Sequence, residues 1–421
     1  MKKSVQELQK ILELIESENS SNLKIASLIW QSDEELQESV FQYFQADFGK
    51  KKINNWLSSK NIDLVQHALE LLDGLCSNET ELACFFNFVL KSTSLRSLSK
   101  ELPKVKYKNT ILSWLFWKLV DFDKAWVLKL KKLNLSKKGL RIIPESIGKL
   151  IHLQTLNLEN NELEALPAAI GKLTKLTELI VNYNQLKALP LALFQLSKLQ
   201  MLYAGSNQIQ SIPDEIGNLK ALEEIFFRYN KISYLPDSIG QLINLTYLVL
   251  SSNALTQVPK TIGNLNQLTL IDLSSNQLKE IAFSFSNLQL LYYISLDSNQ
   301  LTAVPESICG PSKLQNLWLD NNQIAAVPSK IGDLSNLQLL SLYQNKVETL
   351  PESILQLKKL QTLELSYNKI QALDPAIIEL PSLRSLSIAK NPIAQQMPDW
   401  LGNYLASPKE ESSGWLEDLY G

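Results

Sequence analysis

The chain has 421 residues, of which 45% are hydrophobic and 20% charged, with a formal net charge of -2. That balance describes an ordinary folded chain and excludes the broad basic field needed to hold nucleic acid or an anionic membrane. Length alone suggests two or three domains.

The start, Met1-Lys2-Lys3 followed by an amphipathic, glutamate-bearing stretch, has no apolar signal core. Val5, Leu8, Ile11, Leu12 and Ile15 recur at helical spacing, and Ser20-Ser21-Asn22 offers a break and an N-cap. Asp33 can cap a helix bearing Leu36, Val40, Phe41 and Phe44. Asn61 or Asp63 can start another with Val65, Ala68, Leu69 and Leu72, ended near Gly74. Ser77-Asn78-Glu79 restarts a helix with Leu82, Phe85, Phe86, Val89 and Leu90. Residues 1–129 thus read as an all-α region without strand-like alternation.

Within that region Lys50-Lys51-Lys52 and Lys104, Lys106 and Lys108 are basic, but no interleaved aromatics turn them into a single-strand nucleic-acid site. Ile111 to Val120 is the longest dense apolar run, about half of the roughly 20 residues a bilayer span needs. It reads as a buried helix. The segment Thr110 to Trp126, with Trp114, Phe116, Trp117 and Phe122, is the most aromatic of the chain. It suits a cap over the open end of a repeat stack beginning at Leu130. The alternative is an independently acting module.

From Leu130 one pattern is written twelve times without insertion, L-x-x-L-x-L-x-x-N-x-L-x-x-L-P-x-x-I-G-x-L-x-x, at a period of 23 residues. Its ninth position is a column of asparagines from Asn161 to Asn391; only the first repeat departs, with Lys138. Such a period with strand-like L-x-L spacing marks a leucine-rich-repeat solenoid of α/β class. It predicts a curved parallel sheet of about twelve strands on the concave side, with short helical or irregular convex segments. The strand is expected over positions 3 to 7 of each repeat. Leucines at 1, 4, 6, 11, 14 and 21 and the isoleucine at 18 point inward. The asparagine amide can satisfy backbone groups buried in the turn. Proline at position 15 suits entry to a helical turn, and glycine at 19 is expected to end it. Repeat seven replaces proline with Ala282, setting Phe285 inward and Phe283 on the convex side.

The repeats run to residue 393. Met397 to Leu401 with Tyr404 and Leu405 are expected to fold over the last repeat as a C-terminal cap, and from Ser407 a polar, acidic tail begins. The three domains are therefore 1–129, 130–393 and 394–421.

The LPxxIGxLxxLxxLxLxxN form over 130–393 resembles the intracellular Ras-group leucine-rich-repeat scaffolds and bacterial leucine-rich-repeat proteins. The resemblance implies protein–protein interaction through the concave face and implies no enzymatic activity.

Specificity must then lie in the variable sheet positions, since strand side chains alternate and those at 3, 5 and 7 face outward. The candidate binding residues are Ile180, Tyr183, Met201, Tyr203, Phe226, Arg228, Tyr229, Tyr247, Val249, Leu270, Asp272, Tyr293, Asp297, Trp318, Asp320 and Tyr343. Apolar and aromatic groups sharing one exposed face form the kind of patch that marks an interaction site. Aromatics are also good strand formers, which is the plainer explanation.

Catalytic readings find little. His67 and His152 are the only histidines, and with Cys76, Cys84 and Cys309 they form no metal cluster or Cys-His pair. Gly148-Lys149 and Gly171-Lys172 are repeat residues, not a phosphate loop, and Glu223-Glu224 is commonplace on a solenoid face. No cofactor is expected. Three cysteines without a disulfide framework favour a reducing compartment. The expectation is a monomeric cytoplasmic scaffold or adaptor for a protein partner, without nucleic acid or membrane insertion. Two alternatives stay open: a secreted or surface effector using the same face, and a regulatory subunit whose activity lies in residues 1–129.

Overall fold

The computed structural model describes residues 108–406 together with Ile53, Trp56, Leu57, Ala68, Leu69 and Leu72. Those six are helical and buried, which includes the predicted Ala68, Leu69 and Leu72 face. The other expectations for residues 1–107, including His67, Cys76, Cys84 and the lysine clusters, and the tail from Ser407 lie outside the described residues. The chain divides into two compact units, 1–153 with 160–162, and 154–159 with 163–421. The division places the first repeat with the helical region.

In the first unit, helix α1 (Lys108–Asp121) buries Leu115, Phe116, Leu119 and Val120, spaced so that each is one turn from another. It closes with Asp123 in the left-handed region (φ 54°) and the Lys124 N–H bonded back to the Leu119 carbonyl at 2.9 Å, a Schellman-type ending. Helix α2 (Ala125–Leu128) comes next, with Val127 buried. Helix α1 packs on the first repeat's outer turn, Glu145–Lys149. There Lys149 Nζ donates to the Asp121 carbonyl and to Asp123 Oδ1, each at 2.8 Å. The first repeat supplies strand β1 (Lys132–Asn134).

The second unit carries β2 (Thr155–Asn157), β3 (Glu178–Ile180), β4 (Met201–Tyr203), β5 (Glu224–Phe226), β6 (Tyr247–Val249) and β7 (Leu270–Asp272). It continues with β8 (Tyr293–Ser295), β9 (Asn316–Trp318), β10 (Leu339–Ser341), β11 (Thr362–Glu364) and β12 (Ser385–Ser387). These pair in parallel and in chain order as one open, curved sheet, every residue facing its counterpart one repeat along, as in Tyr203↔Phe226 and Asp272↔Ser295. The strands span positions 3 to 5 only, shorter than expected. Cross-repeat bonds nonetheless continue past them, for example Val181 N–H to the Tyr203 carbonyl and Tyr183 N–H to that of Gly205. Position 8 then turns left-handed in every repeat (φ 51–59°), which ends the strand.

Ile271, Leu273, Leu278, Phe285 and Leu288 of one repeat are fully buried, and the equivalent set recurs along the unit. The asparagine column works between repeats. Asn276 Nδ2 donates to the carbonyls of Leu250 and Leu273, and its Oδ1 accepts from the Leu255 N–H, all at 3.0 Å. Each asparagine therefore serves the turn of the repeat before its own. Asn161 does so for the first repeat, accepting from the N–H groups of Lys138 and Leu140. Lys138 has no earlier repeat to serve, which explains the one gap in the column.

Each proline at position 15 stands directly before a 3-10 turn, its carbonyl accepting from the inward isoleucine (Leu193 in the case of Pro190), as in Ile262 N–H to Pro259 at 3.2 Å. Where Ala282 replaces it no such turn forms. Phe283, expected on the convex surface, is instead buried with its ring 4.6 Å from that of Phe285. The loosened segment folds both phenylalanines inward. The position-19 glycines also differ from expectation: they lie inside the 3-10 turns. A Cβ on Gly171 or Gly240 would stand 2.4 Å from the carbonyl oxygen of Ala192 or Thr261 in the next repeat. Glycine is there for the close approach of neighbouring turns. Cys309 holds that position in repeat eight, buried, its thiol pushed up to about 12 chiefly by burial.

Helix α3 (Asp399–Ala406) comes after the last repeat. It buries Leu401 and packs on the turn Pro375–Glu379, with Tyr404 Oη donating to the Leu383 carbonyl at 3.4 Å.

Candidate surface on the outer face of the sheet

The apolar side chains at positions 4 and 6 of each repeat point into the core, so positions 3, 5 and 7 share the opposite, concave face. One row of aromatics runs along it. Tyr203 meets Phe226 edge to face at 5.1 Å, and Phe226 lies 6.3 Å from Tyr247. Tyr247 and Tyr292 lie side by side against the same apolar cluster, and burial, then the neighbouring Tyr247, raises the Tyr292 phenol. Beyond them Val249, Leu270 and Tyr293 form a small apolar cluster, flanked by Phe226, Tyr247, Tyr292 and Trp318. Tyr203 meets Phe226 because the parallel register stacks like positions one strand apart, whereas Phe226 and Tyr247 are diagonal neighbours on adjacent strands.

The expected outward exposure of these residues needs correction. Val249 and Leu270 are 4% exposed, Tyr293 is 6% and Asp272 is 2%. They lie on the face but are covered by their neighbours, because large side chains in register on closely spaced strands close over the smaller ones. Ile180, Met201, Tyr203, Phe226, Arg228, Tyr247, Trp318 and Tyr343 are partly exposed. Tyr183 and Tyr229 are the open ones, at 50% and 59%, carried out by the left-handed backbone of position 8. Tyr343 packs edge-on against exposed Tyr367 at 5.2 Å.

Polar residues on the face also carry backbone duties. Asn182, Asp297 and Asp320 each accept from the N–H of the equivalent residue one repeat on, Gly205, Asp320 and Tyr343, at 2.7–2.8 Å. Asp272 Oδ1 accepts from the N–H and hydroxyl of Ser274. The Arg228 stem lies over Gly205, whose added Cβ would meet Arg228 Cγ at 3.2 Å.

Positive charge is scarce on the face. Tyr203 donates to Glu224, Gln200 to Glu223, Thr155 to Glu178 and Ser341 to Asp320, all neutral donors. Among the described residues no ion pair involves Glu178, Glu223, Glu224, Asp272, Asp297, Asp320 or Glu364. Arg228 is the one basic residue at positions 2, 3, 5 and 7 of repeats two to eleven. Burial, then the charge of Asp320, pushes the Asp297 carboxyl up to about 7, and burial raises Asp320 as well. Tyr203 is held protonated by burial and by Glu224.

Sequence reasoning missed Tyr292 and discounted Glu223 and Glu224. Tyr292 and Glu223 sit at position 2, just before the strand, and on so short a strand that position still borders the face. Counting position 2 with the outward set would have found both.

Two leucine-rich-repeat models match the chain, "Leucine-rich repeat region" over 118–206 and 192–286 and "Leucine rich repeat" over 335–393. A leucine-rich-repeat protein of Leptospira interrogans is 33% identical over 67% of this chain and 86% of its own, with a TM-score of 0.53. A plant peptide hormone receptor, solved in complex with RGF2, is 30% identical over 65% of this chain and 49% of its own, at 0.57. An internalin of Listeria monocytogenes, 22% identical over 68% and 89%, shares the fold at 0.54. No curated protein sequence matches. The chain belongs to the leucine-rich-repeat family.

Among the described residues no helix is long and apolar enough to cross a membrane, and no group of His, Cys, Asp and Glu could hold a metal ion.

Proposed function

We propose that this chain is a non-enzymatic scaffold or adaptor that holds a protein partner on the concave face of its repeats, acting in the cytoplasm. The observation that carries the reading is the aromatic row from Tyr203 through Phe226 and Tyr247 to Tyr292, continued by Trp318, on the concave face. Large aromatic side chains gathered on one face are the residue types that dominate binding energy at protein interfaces. The plant receptor's complex with RGF2 gives a relative of similar architecture that holds a partner. The surplus of carboxylates on the same face argues against nucleic acid. The buried, unpaired thiol of Cys309 is in keeping with a reducing compartment. In this reading the helices before Leu130 cover the open end of the repeats.

Crosslinked capture from the native cells, comparing wild type with a Trp318→Ala, Tyr203→Ala variant, tests it. One or more specific bands should disappear with the variant while its fold is retained. An unchanged capture profile would move the binding surface elsewhere. Fractionation of the same cells tests the compartment.

A further inference from the structure

The concave face carries carboxylates that form no ion pair among the described residues. Asp297 and Asp320 stand on adjacent repeats, joined by the bond from the Asp320 N–H to Asp297 Oδ1 at 2.8 Å. Their remaining contacts are hydroxyls, Ser295 to Asp297 and Ser341 to Asp320, and backbone N–H from Tyr343. Three strands away on the same face, Glu224 and Glu223 are likewise held by a phenol and an amide. Partly desolvated carboxylates without a cation are costly, and the cost is relieved when a partner brings one. Between the two acidic groups lies the aromatic and apolar patch of Phe226, Tyr247 and Tyr292. The face thus offers an apolar centre flanked at both ends by uncompensated negative charge.

We infer that the partner presents a basic segment, with lysine or arginine side chains placed to reach Asp297 and Asp320 at one end and Glu223 and Glu224 at the other, around an apolar or aromatic anchor. This deepens the proposed concave-face binding and rests on it. The charge is local: the chain as a whole has a formal net charge of only -2, so the complementarity selects a segment that lands on this face. The pH dependence comes from the groups that face Asp297, namely Asp320 and Asp272. As Asp297 loses its proton around pH 7 the face gains charge, so binding tightens from pH 6 to pH 8.

The test pans a random dodecapeptide display library on the full-length wild-type chain. The enriched peptide is then titrated against wild type, D297N/D320N, E223Q/E224Q and Y203A/F226A. The amide replacements keep an acceptor for the neighbouring donors, and melting curves verify that each variant is folded. The expected pool is enriched in Lys and Arg interleaved with aromatic or aliphatic residues. Affinity should fall about tenfold or more in either amide pair, and again as salt is raised from about 50 to about 500 mM. A pool no richer in basic residues than the starting library overturns the inference. If such neutral peptides still lose binding in Y203A/F226A, the concave-face reading stands without it. Basic peptides whose affinity is unchanged in all three variants overturn both. A dimer of the chain that the amide pairs dissolve overturns the inference in favour of a second copy as occupant.

Discussion

On β7, Ile271 enters the core while Leu270 and Asp272, on either side of it, point to the concave face, and all three are buried. Exposure does not separate the two sides of the strand; repetition does. The residues equivalent to Ile271 are Leu or Ile in every repeat, because each must stack on a near copy of itself. Those equivalent to Asp272 run through Ile180, Tyr203, Phe226, Val249, Ser295, Trp318 and Glu364. The stack does not dictate them, so they are where a partner can be read. Four substitutions would break or sharpen this contrast.

The largest effect is expected on the inward side. Ile271→Ala should cost about 2–5 kcal/mol, from lost burial plus the cavity left in a close-packed core. Urea unfolding would measure it, and a cost below about 1 kcal/mol would mean the stack is looser than its complete burial implies.

On the outward side, Asp297 should make stability depend on pH. Its folded value of about 7 lies above the ordinary 3.8, so the folded chain holds the proton more tightly. The resulting stabilisation is complete below about pH 4 and is lost as pH rises through about 7, an effect of at most about 4 kcal/mol. Asp297→Asn should flatten that slope in melting curves taken from pH 4 to 8. A slope that survives the substitution assigns it to other groups.

Asn276→Ala should cost about 1–3 kcal/mol by leaving the Leu250 carbonyl and Leu255 N–H buried without a partner. The damage belongs to the repeat before Asn276. Hydrogen exchange should accordingly speed first at Leu255, not at Leu278, whose own partner is Asn299.

The smallest effect is expected at Tyr229, exposed and left-handed (φ 56°). Tyr229→Gly relieves a backbone conformation unfavourable for a bulky residue, at the expense of greater freedom in the unfolded chain. The net change should lie within about 1 kcal/mol. A loss as large as that of Ile271→Ala would show that the outward tyrosines also hold the fold.

The fold was legible because every inward requirement recurs at one spacing. Counting from the asparagine column placed the strands, the inward leucines and the proline-led turns. Misreadings arose where a position answers to the adjacent repeat. Gly240 resembles a helix terminator in sequence, and only the closeness of Thr261 shows otherwise. Lys138 looks like a defect until Asn161 is seen bonding the turn before its own. The surface was legible as a list of outward residues but not as a surface. Whether Leu270 is open depends on how Tyr293 and Tyr247 close over it, which no single repeat encodes. Likewise, Glu224 matters because the Tyr203 hydroxyl reaches it from the previous repeat while no cation among the described residues pairs with it.

The most direct measurement pairs one variant on the concave face with one in the buried turn, Tyr203→Ala/Phe226→Ala and Asn276→Ala. Each full-length chain is scored for melting temperature and for crosslinked capture of partner well below its melting temperature. The account predicts that the aromatic pair loses capture with only a small drop in melting temperature, while Asn276→Ala melts earlier and still captures. Capture retained by the aromatic pair and lost in folded Asn276→Ala would contradict it.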